Sequence, residues 1–446
     1  MNVRNIETER TPFDFQIESV VVTADRLDFG QREFDISNVI SEINIFEMVD
    51  KPFLTGTILF LDNANLFNDI NWLGTEKISM TIRTDERSTN VIEKKFRVVK
   101  IIQAVKSNDQ NESFLIEIVE DHAYESNLIR VQQSYEGHHD EIIEKILKEH
   151  LGRELMYVPS TGFKRIRAIV PNLTPLDAAN WIKEGKPDAY GSPYFLYSSI
   201  ADDKIRLIDL ESVLGLLPLN TDTPYIYSQS YGPQGPDLSV IDQSYIIQTY
   251  RSLHMEDLSK LIKSGYVSGR WNFFDTTKGE QFQVDHDIKK TFDNMVSRRV
   301  FNKNQNDPIF DEDAGVHTYS SREISQIATS RTYTDWSDYN NYYEGGDLPL
   351  HEQKVIQKSL RNFLLKSPID VSIPGSNFLQ NNTNKTIGNI INLRFQVNDN
   401  LYQRYETDHK RSGDYFIYAA RHVFSGNRYT VNLKCAKLAQ SVGVER

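Results

Sequence analysis

The run Ile40-Ser-Glu-Ile-Asn-Ile-Phe-Glu-Met48, which leads into Gly56-Thr-Ile-Leu-Phe-Leu-Asp62, has a counterpart far along the chain. It is Ile247-Gln-Thr-Tyr-Arg-Ser-Leu-His-Met255, leading into Gly269-Arg-Trp-Asn-Phe-Phe-Asp275. Both end in Gly-x-x-x-Phe-(Leu/Phe)-Asp. The strand-like runs between Gly74 and Glu120 have counterparts in the same order. These go from Gly388 through Ile391-Asn-Leu-Arg-Phe395, Tyr415-Phe-Ile-Tyr418 and a tight Ser425-Gly-Asn427 turn to Tyr429-Thr-Val-Asn-Leu433. Repetition of both halves in one order is the mark of a duplicated unit. A short loop joins Asp62 to Gly74, whereas Asp275 and Gly388 are separated by a span long enough for a domain. One β unit is therefore read twice, the second time split by a guest segment.

Periodicity fills in the rest. Alternation in Ile17–Thr23, Phe53–Asp62, Ile78–Ile82, Phe96–Ile102 and Phe114–Ile118 predicts strands, and the turn-forming cluster Lys106–Ser113 closes the last two into a hairpin. Residues up to 122 read as one antiparallel barrel or sandwich. The period then changes: Ile142, Ile143, Ile146, Leu147 and Leu151 share a helix face that Gly152 can end in a left-handed conformation. In Thr174-Pro-Leu-Asp177 a hydroxyl N-cap, a proline at the first helical position and a carboxylate at the third predict a helix over 176–183. Ser192–Ser198 and Lys204–Asp209 read as a strand pair. Gly232, Pro233, Gly235 and Pro236 then break the chain.

The expected fold is mainly β with α+β parts. Two similar antiparallel β-barrel domains occupy 1–122 and, split, 223–282 with 369–446. A small α+β domain at 123–222 lies between them, and an inserted domain at 283–368 interrupts the second barrel. The insertion is polar over Asn302–Asp313 and Thr332–Asp347, which suits long surface loops. Val355, Ile356, Leu360, Phe363 and Leu364 line a helix that must stop before Pro368.

The search for chemistry is negative throughout. The single cysteine, Cys435, excludes a disulfide framework and a thiolate zinc site, and its alternation with Val431 and Leu433 makes it a small buried hydrophobe. Gly232-Pro-Gln-Gly235 lacks the Lys-Ser/Thr of a phosphate loop. His138-His139-Asp-Glu with His150 lacks the His-Glu-x-x-His spacing and reads as a solvated helix start. No Gly-x-Ser-x-Gly elbow is present. Asp62 and Asp275, which close equivalent runs, are the carboxylate pair to test for glycoside cleavage; their structural reading is strand-end turns in which the side chains accept backbone N–H bonds. The aromatic stretch Tyr333–Tyr343 suits a protein interface or an ordered loop better than base or sugar stacking. No catalytic, cofactor-binding or metal-binding residue is assigned, and the chain is not read as an enzyme.

Charge bounds the partners. With 50 Lys+Arg against 62 Asp+Glu the net charge is −12, which argues against wrapping a nucleic acid. The N-terminal residues have no apolar signal core, and no run approaches the ~20 apolar residues of a membrane span, so a soluble, non-exported chain without stable membrane insertion is expected.

Three segments carry a resemblance. Pro175-Leu-Asp-Ala-Ala-Asn-Trp-Ile182, Gly191-Ser-Pro-Tyr-Phe-Leu-Tyr-Ser198 and Ser412-Gly-Asp-Tyr-Phe-Ile-Tyr-Ala-Ala-Arg-His-Val-Phe424 resemble the central baseplate hub proteins of T-even-type contractile-tailed phages. That wider group includes the hub part of type VI secretion spikes. The resemblance implies a homotrimeric ring with two tube-like barrels per chain, sited in the virion tail baseplate and assembled in the host cytoplasm. It implies a trimeric spike protein on one side, a tail tube hexamer on the other, other baseplate proteins around it, and DNA only as passing cargo. Three chains with two similar barrels present six similar faces, which reconciles a six-fold tube with a three-fold spike. The acidic total would suit a lumen along which DNA slides. The alternative is a carbohydrate-active or glycan-binding phage tail component.

Overall fold

A computed structural model describes residues 11–26, 30–62, 70, 72–84, 91–106, 112–157, 165–185, 190–227, 243–252, 258–265, 267–275, 279–297, 323–327, 334–335, 350–362, 368–379, 386–399, 404–408 and 411–437. Seven strands come from the first part: β1 (Gln16–Arg26), β2 (Gly30–Asp35), β3 (Ile40–Met48), β4 (Thr55–Asp62), β5 (Lys77–Arg83), β6 (Val91–Lys106) and β7 (Glu112–Glu120). They pair antiparallel in the order β3-β4-β7-β6-β5-β1-β2. Alternation decides the buried face. Ile43 and Ile45 of β3, Ile58 and Phe60 of β4, Ile78 and Ile82 of β5, and Ile116 and Ile118 of β7 all enter one core. Each such side chain contributes roughly 1.5–3 kcal/mol, so a one-residue slip of any of these strands is costly.

The middle of the chain supplies α1 (Asp121–Leu128), β8 (Ser134–His138), α2 (His139–Leu151), β9 (Leu155–Tyr157), β10 (Arg165–Ile169), α3 (Pro175–Gly185), β11 (Tyr194–Ser198) and β12 (Ile205–Asp209). A second core gathers Ile142, Ile143 and Ile146 of α2, Ala179 and Ile182 of α3, and Leu207 of β12. Gly152 ends α2 at φ +61°, as the sequence predicts. At the start of α3, Asp177 N–H donates to the Thr174 hydroxyl at 3.2 Å, and that hydroxyl donates to the Asp177 carboxylate at 2.7 Å. The third-position carboxylate thus reaches the capping side chain.

The remaining strands are β13 (Tyr225–Tyr227), β14 (Thr249–Ser252), β15 (Ser268–Asp275), β16 (Glu280–Asp287), β17 (Glu323–Ile327), β18 (Thr334–Asp335), β19 (Pro368–Pro374), β20 (Ile390–Asp399), β21 (Arg404–Thr407), β22 (Gly413–Ser425) and β23 (Arg428–Lys437); the helix α4 (Leu350–Arg361) lies between β18 and β19. Five of them pair in the order β14-β19-β23-β22-β20, strand for strand the order β3-β4-β7-β6-β5. The register follows. Ile43 stands opposite Ile58, which faces Ile116, which faces Ile101; likewise Tyr250 faces Val371, which faces Leu433, which faces Ala420. β6 has two bulges, between Val98 and Lys100 and between Ile101 and Gln103, and β22 has one between Ile417 and Ala419, at the place of the first in the ladder. Gly74 and Gly388, ahead of β5 and β20, have φ +79° and +80°. In this register Thr249–Ser252 stands where Glu42–Ile45 stands, the alignment that the sequence repeat gives. The likeness ends at the next strand: β1 runs antiparallel to β5, whereas β13 runs parallel to β20.

One half of the repeat needs correction. Gly269–Asp275 does not occupy the place of Gly56–Asp62; β15 pairs with β16 and β17 in a separate three-stranded sheet, and Pro368–Pro374 takes the β4 place. The reason is burial: Trp271 and Phe273 pack with Val355 of α4 in a small core of their own. The guest segment therefore begins after β14, and residues 268–282 belong to it rather than to the second strand set. Nor does the guest stand apart, since β18 extends the β8–β10 sheet and Arg361 of α4 pairs with Glu184 of α3 at 2.5 Å. Gly232–Pro236 and most of the polar loops at 302–347 lie outside the described residues.

Candidate assembly interface

The two strand sets meet edge to edge. β22 turns at its bulge, pairing with β20 before it and with β3 after it, so that Ala419 faces Met48, His422 faces Ile45 and Ser425 faces Glu42. This joins both sets into one sheet. A bulge bends a strand and breaks its regular pairing, which lets β22 serve two neighbours in succession.

Beneath the junction lies a buried polar chain. Glu47 of β3 and His422 of β22 approach to 3.6 Å with both side chains fully buried. His422 Nδ1 is 2.8 Å from the Tyr429 hydroxyl of β23. Glu47 Oε1 accepts from the Ser199 hydroxyl at 3.3 Å and from the Ile200 N–H, which tie the middle domain to the same point. Burial alone would raise the Glu47 carboxyl, but His422, the Ile200 N–H and Arg206 together hold it below the ordinary range. Burial raises the Tyr429 phenol well above its usual value.

A second buried cluster fastens the first strand set to the middle domain. Lys94 Nζ lies 3.6 Å from Glu120 and 3.1 Å from Asp203, and His122 lies 3.6 Å from Glu120. Glu120 accepts from the Leu54 N–H at 2.9 Å, and His122 Nε2 is 2.8 Å from the Pro52 carbonyl. Desolvation lowers the His122 pKa, outweighing the pull of Glu120. These carboxylates are consumed by structural contacts.

On the solvent side of the seam is an open concavity of about 750 Å³, lined in part by Phe46, Met48, Arg251, Asp370, Arg421 and Lys434. Asp370 sits in register between Arg251 and Lys434. Arg421 donates from Nε to Asn44 Oδ1 at 2.9 Å across the seam and reaches Glu42 at 3.5 Å. Its guanidinium lies 5.8 Å from the Phe46 ring centre. On β14, β19, β22 and β23 this face carries Arg251, Arg421, Arg428 and Lys434 against Asp370, so the −12 of the whole chain does not extend to it.

The residues singled out from the sequence are not brought together. Asp62 is buried at the end of β4, while Asp275 ends β15 in a different sheet. Cys435 is fully buried, and burial raises its thiol far above the usual value. The histidine patch is not a solvated helix start: His139 is buried with its ring 4.9 Å from that of Tyr194, and the His138 N–H donates to Glu141 at 3.0 Å in a capping box. Among the described residues no group of three or more His, Cys, Asp or Glu is placed to hold a metal ion, and no helix is long and apolar enough to cross a membrane. Of Tyr333–Tyr343, only Thr334 and Asp335 are described. Glu47 and His422, which organise the seam, were missed. Their signal is parity: Glu47 shares a face with Ile43 and Ile45, and His422 with Ala420 and Phe424, where an apolar residue is expected.

No family model matches the sequence, and no curated protein does. Among solved structures, the chain is similar to the 43 kDa tail protein of prophage MuSo2 from Shewanella oneidensis, at 10% identity and a TM-score of 0.50, over 94% of this chain and 98% of that one. It is also similar to the tail protein from Neisseria meningitidis MC58, at 9% identity and a TM-score of 0.47 over 95% and 97% of the two chains. A third similar structure is the c3393 component of the type VI secretion system of Escherichia coli, at 7% identity and a TM-score of 0.41 over 97% and 79%. Over nearly its whole length, then, this mainly β chain has the fold of a prophage tail protein.

Proposed function

We propose that this chain is a structural virion protein, the homotrimeric baseplate hub of a contractile tail, acting as adaptor between a six-fold tail tube and a three-fold spike and forming part of the DNA passage. The observation that carries the reading is the seam between β3 and β22. One chain holds two strand sets of the same order and register, already joined edge to edge. Three such chains in a ring contain six alike units. A ring of that kind offers a hexamer six near-equivalent docking faces while keeping true threefold symmetry for a spike. The fold likeness to a prophage tail protein agrees with this setting.

The passage wall is assigned to the face that bears the concavity, because the opposite face is covered by the core. In its second half that wall is basic rather than acidic. Cations alternating with Asp370 along a wall would give DNA weak, exchangeable contacts. No site geometry favours a hydrolase: Asp62 and Asp275 lie in different sheets, and the buried carboxylates of Glu47 and Glu120 are held in structural contacts. Measuring the mass of the purified chain in solution tests the proposal. A species of three 51.6 kDa chains without hydrolytic turnover is expected; a lone chain at micromolar concentration, or turnover of peptidoglycan, overturns it.

A further inference from the structure

Two rows of side chains cross the seam on its solvent face. In one, Lys434 of β23 stands opposite Ala419 of β22, which stands opposite Met48 of β3; in the next, Asn432 stands opposite Arg421, which stands opposite Phe46. The intervening Leu433, Ala420 and Glu47 are buried, so alternation puts all six on the open side, where they line the concavity of about 750 Å³. With strands about 4.8 Å apart and alternate residues about 6.7 Å apart, the patch measures roughly 10 Å by 7 Å. Its two sides differ. Lys434, Asn432 and Arg421 make one side cationic and polar, while Met48 and Phe46, exposed at 40% and 37%, form an apolar shelf on the other. Between them the small Ala419 leaves the floor open.

The same place in the first strand set is closed. β6 and β7 are the equivalents of β22 and β23, and there Lys100 takes the position of Ala419 and Glu117 that of Lys434. Those two pair at 2.9 Å, so the lysine fills the gap and the charges cancel. At the seam they do not cancel. Lys434 and Arg251 pair with no carboxylate among the described residues, although Asp370 stands between them in register. Arg421 gives Nε to Asn44 and Nη2 to Glu42 and retains Nη1. An open floor beside an uncompensated cation is thus a property of the seam and not of the strand set.

We propose that the concavity is a binding site for a nucleoside phosphate. The phosphate sits over Lys434 and the Arg421 guanidinium, and the base lies on Phe46 and Met48, with Ala419 beneath the sugar. Ammonium and guanidinium groups give a phosphate charge-assisted hydrogen bonds, and any base can stack on an aromatic ring. Neither half of the patch is enough alone: a bare oxyanion leaves the apolar shelf uncovered, and an apolar ligand leaves Lys434 unused. The pocket belongs to a single chain, whereas a DNA strand as the source of the nucleotide rests on the reading of this face as the passage wall. In that setting the wall holds a strand at spaced points, one per chain, instead of repelling it along its length.

Equilibrium titration of the full-length chain with deoxyadenosine monophosphate tests the site, and one saturable site per chain is expected. Inorganic phosphate and deoxyadenosine, which each lack one of the two contacts, are expected to bind at least about tenfold more weakly. Transplanting the first set's pair, Ala419→Lys with Lys434→Glu, fills the floor and cancels the cation with a pairing that the chain already makes between Lys100 and Glu117. It is expected to weaken binding at least about tenfold without unfolding the chain, and Lys434→Gln alone is expected to act in the same direction. Lys145→Gln makes the same change in net charge as the double variant, on the exposed side of α2, and is expected to leave binding as it was. Equal binding of phosphate and nucleotide, which would mark an adventitious ion only, or undiminished binding by the folded double variant, overturns the site. Tighter binding of a single-stranded oligodeoxyadenylate than of the mononucleotide supports DNA as the source; an oligonucleotide that binds no better overturns that source and leaves the pocket. A one-chain mass in solution overturns the ring and changes neither result.

Discussion

Glu47 on β3 and His422 on β22 face each other at 3.6 Å with no solvent access, at the point where the two strand sets and the middle domain converge. Removing the Glu47 carboxylate leaves the buried Ser199 hydroxyl without its acceptor, and an unsatisfied buried polar group costs about 1–3 kcal/mol. Glu47→Ala, which also strips the Ile200 N–H of its acceptor, is expected to lower stability by about that amount in urea unfolding. A loss below about 1 kcal/mol would mean that the junction does not depend on this pair.

The same carboxylate gives the fold an acid limb. The Glu47 pKa is lowered in the folded chain from its ordinary 4.5. Its contribution is therefore complete above that ordinary value and is lost as pH falls below it, through the folded value. Unfolding midpoints measured from pH 6 downward are expected to fall more steeply for the wild type than for Glu47→Gln. Parallel curves would remove Glu47 from the acid response.

Gly74 and Gly388 separate backbone strain from crowding. Both have left-handed φ, which costs an alanine about 1–2 kcal/mol. Around Gly74 the nearest atom to an added Cβ is the Val99 carbonyl at 3.5 Å, an ordinary contact, whereas at Gly388 the Cβ would collide with the Tyr197 hydroxyl. That hydroxyl donates to the Ile387 carbonyl at 3.1 Å. Gly74→Ala is expected to cost only the strain, and Gly388→Ala at least twice as much, by thermal or urea unfolding.

Cys435 is fully buried, with its thiol pushed far up by desolvation. Since the thiolate is the reactive form, a maleimide is expected to leave the native chain unlabelled and to modify one site per chain in denaturant. Rapid native labelling would show that β23 opens.

What was legible in the sequence follows from how local the signal is. The helix over Ile142–Leu151 with its Gly152 stop, and the helix start at Thr174, are written in side chains a few residues apart. Ile247–Met255 could be aligned with Ile40–Met48 because a strand keeps its alternation wherever it pairs. Gly269–Asp275 misled because a glycine, a phenylalanine and a terminal Asp satisfy many strand ends. The segment that does take the β4 place, Pro368–Pro374, keeps neither the glycine nor the Asp in register, and only long-range ladder bonds put it there. Glu47 and His422 were hidden for a related reason. Each looks like an ordinary strand residue until the far strand sets the buried face.

Images of the purified full-length chain by electron microscopy test the central claim most directly. A ring with a central hole, three-fold by symmetry and bearing six similar lobes around its rim, is the expected result. Particles that average to a single compact chain, or to a ring of three undivided lobes, would contradict it.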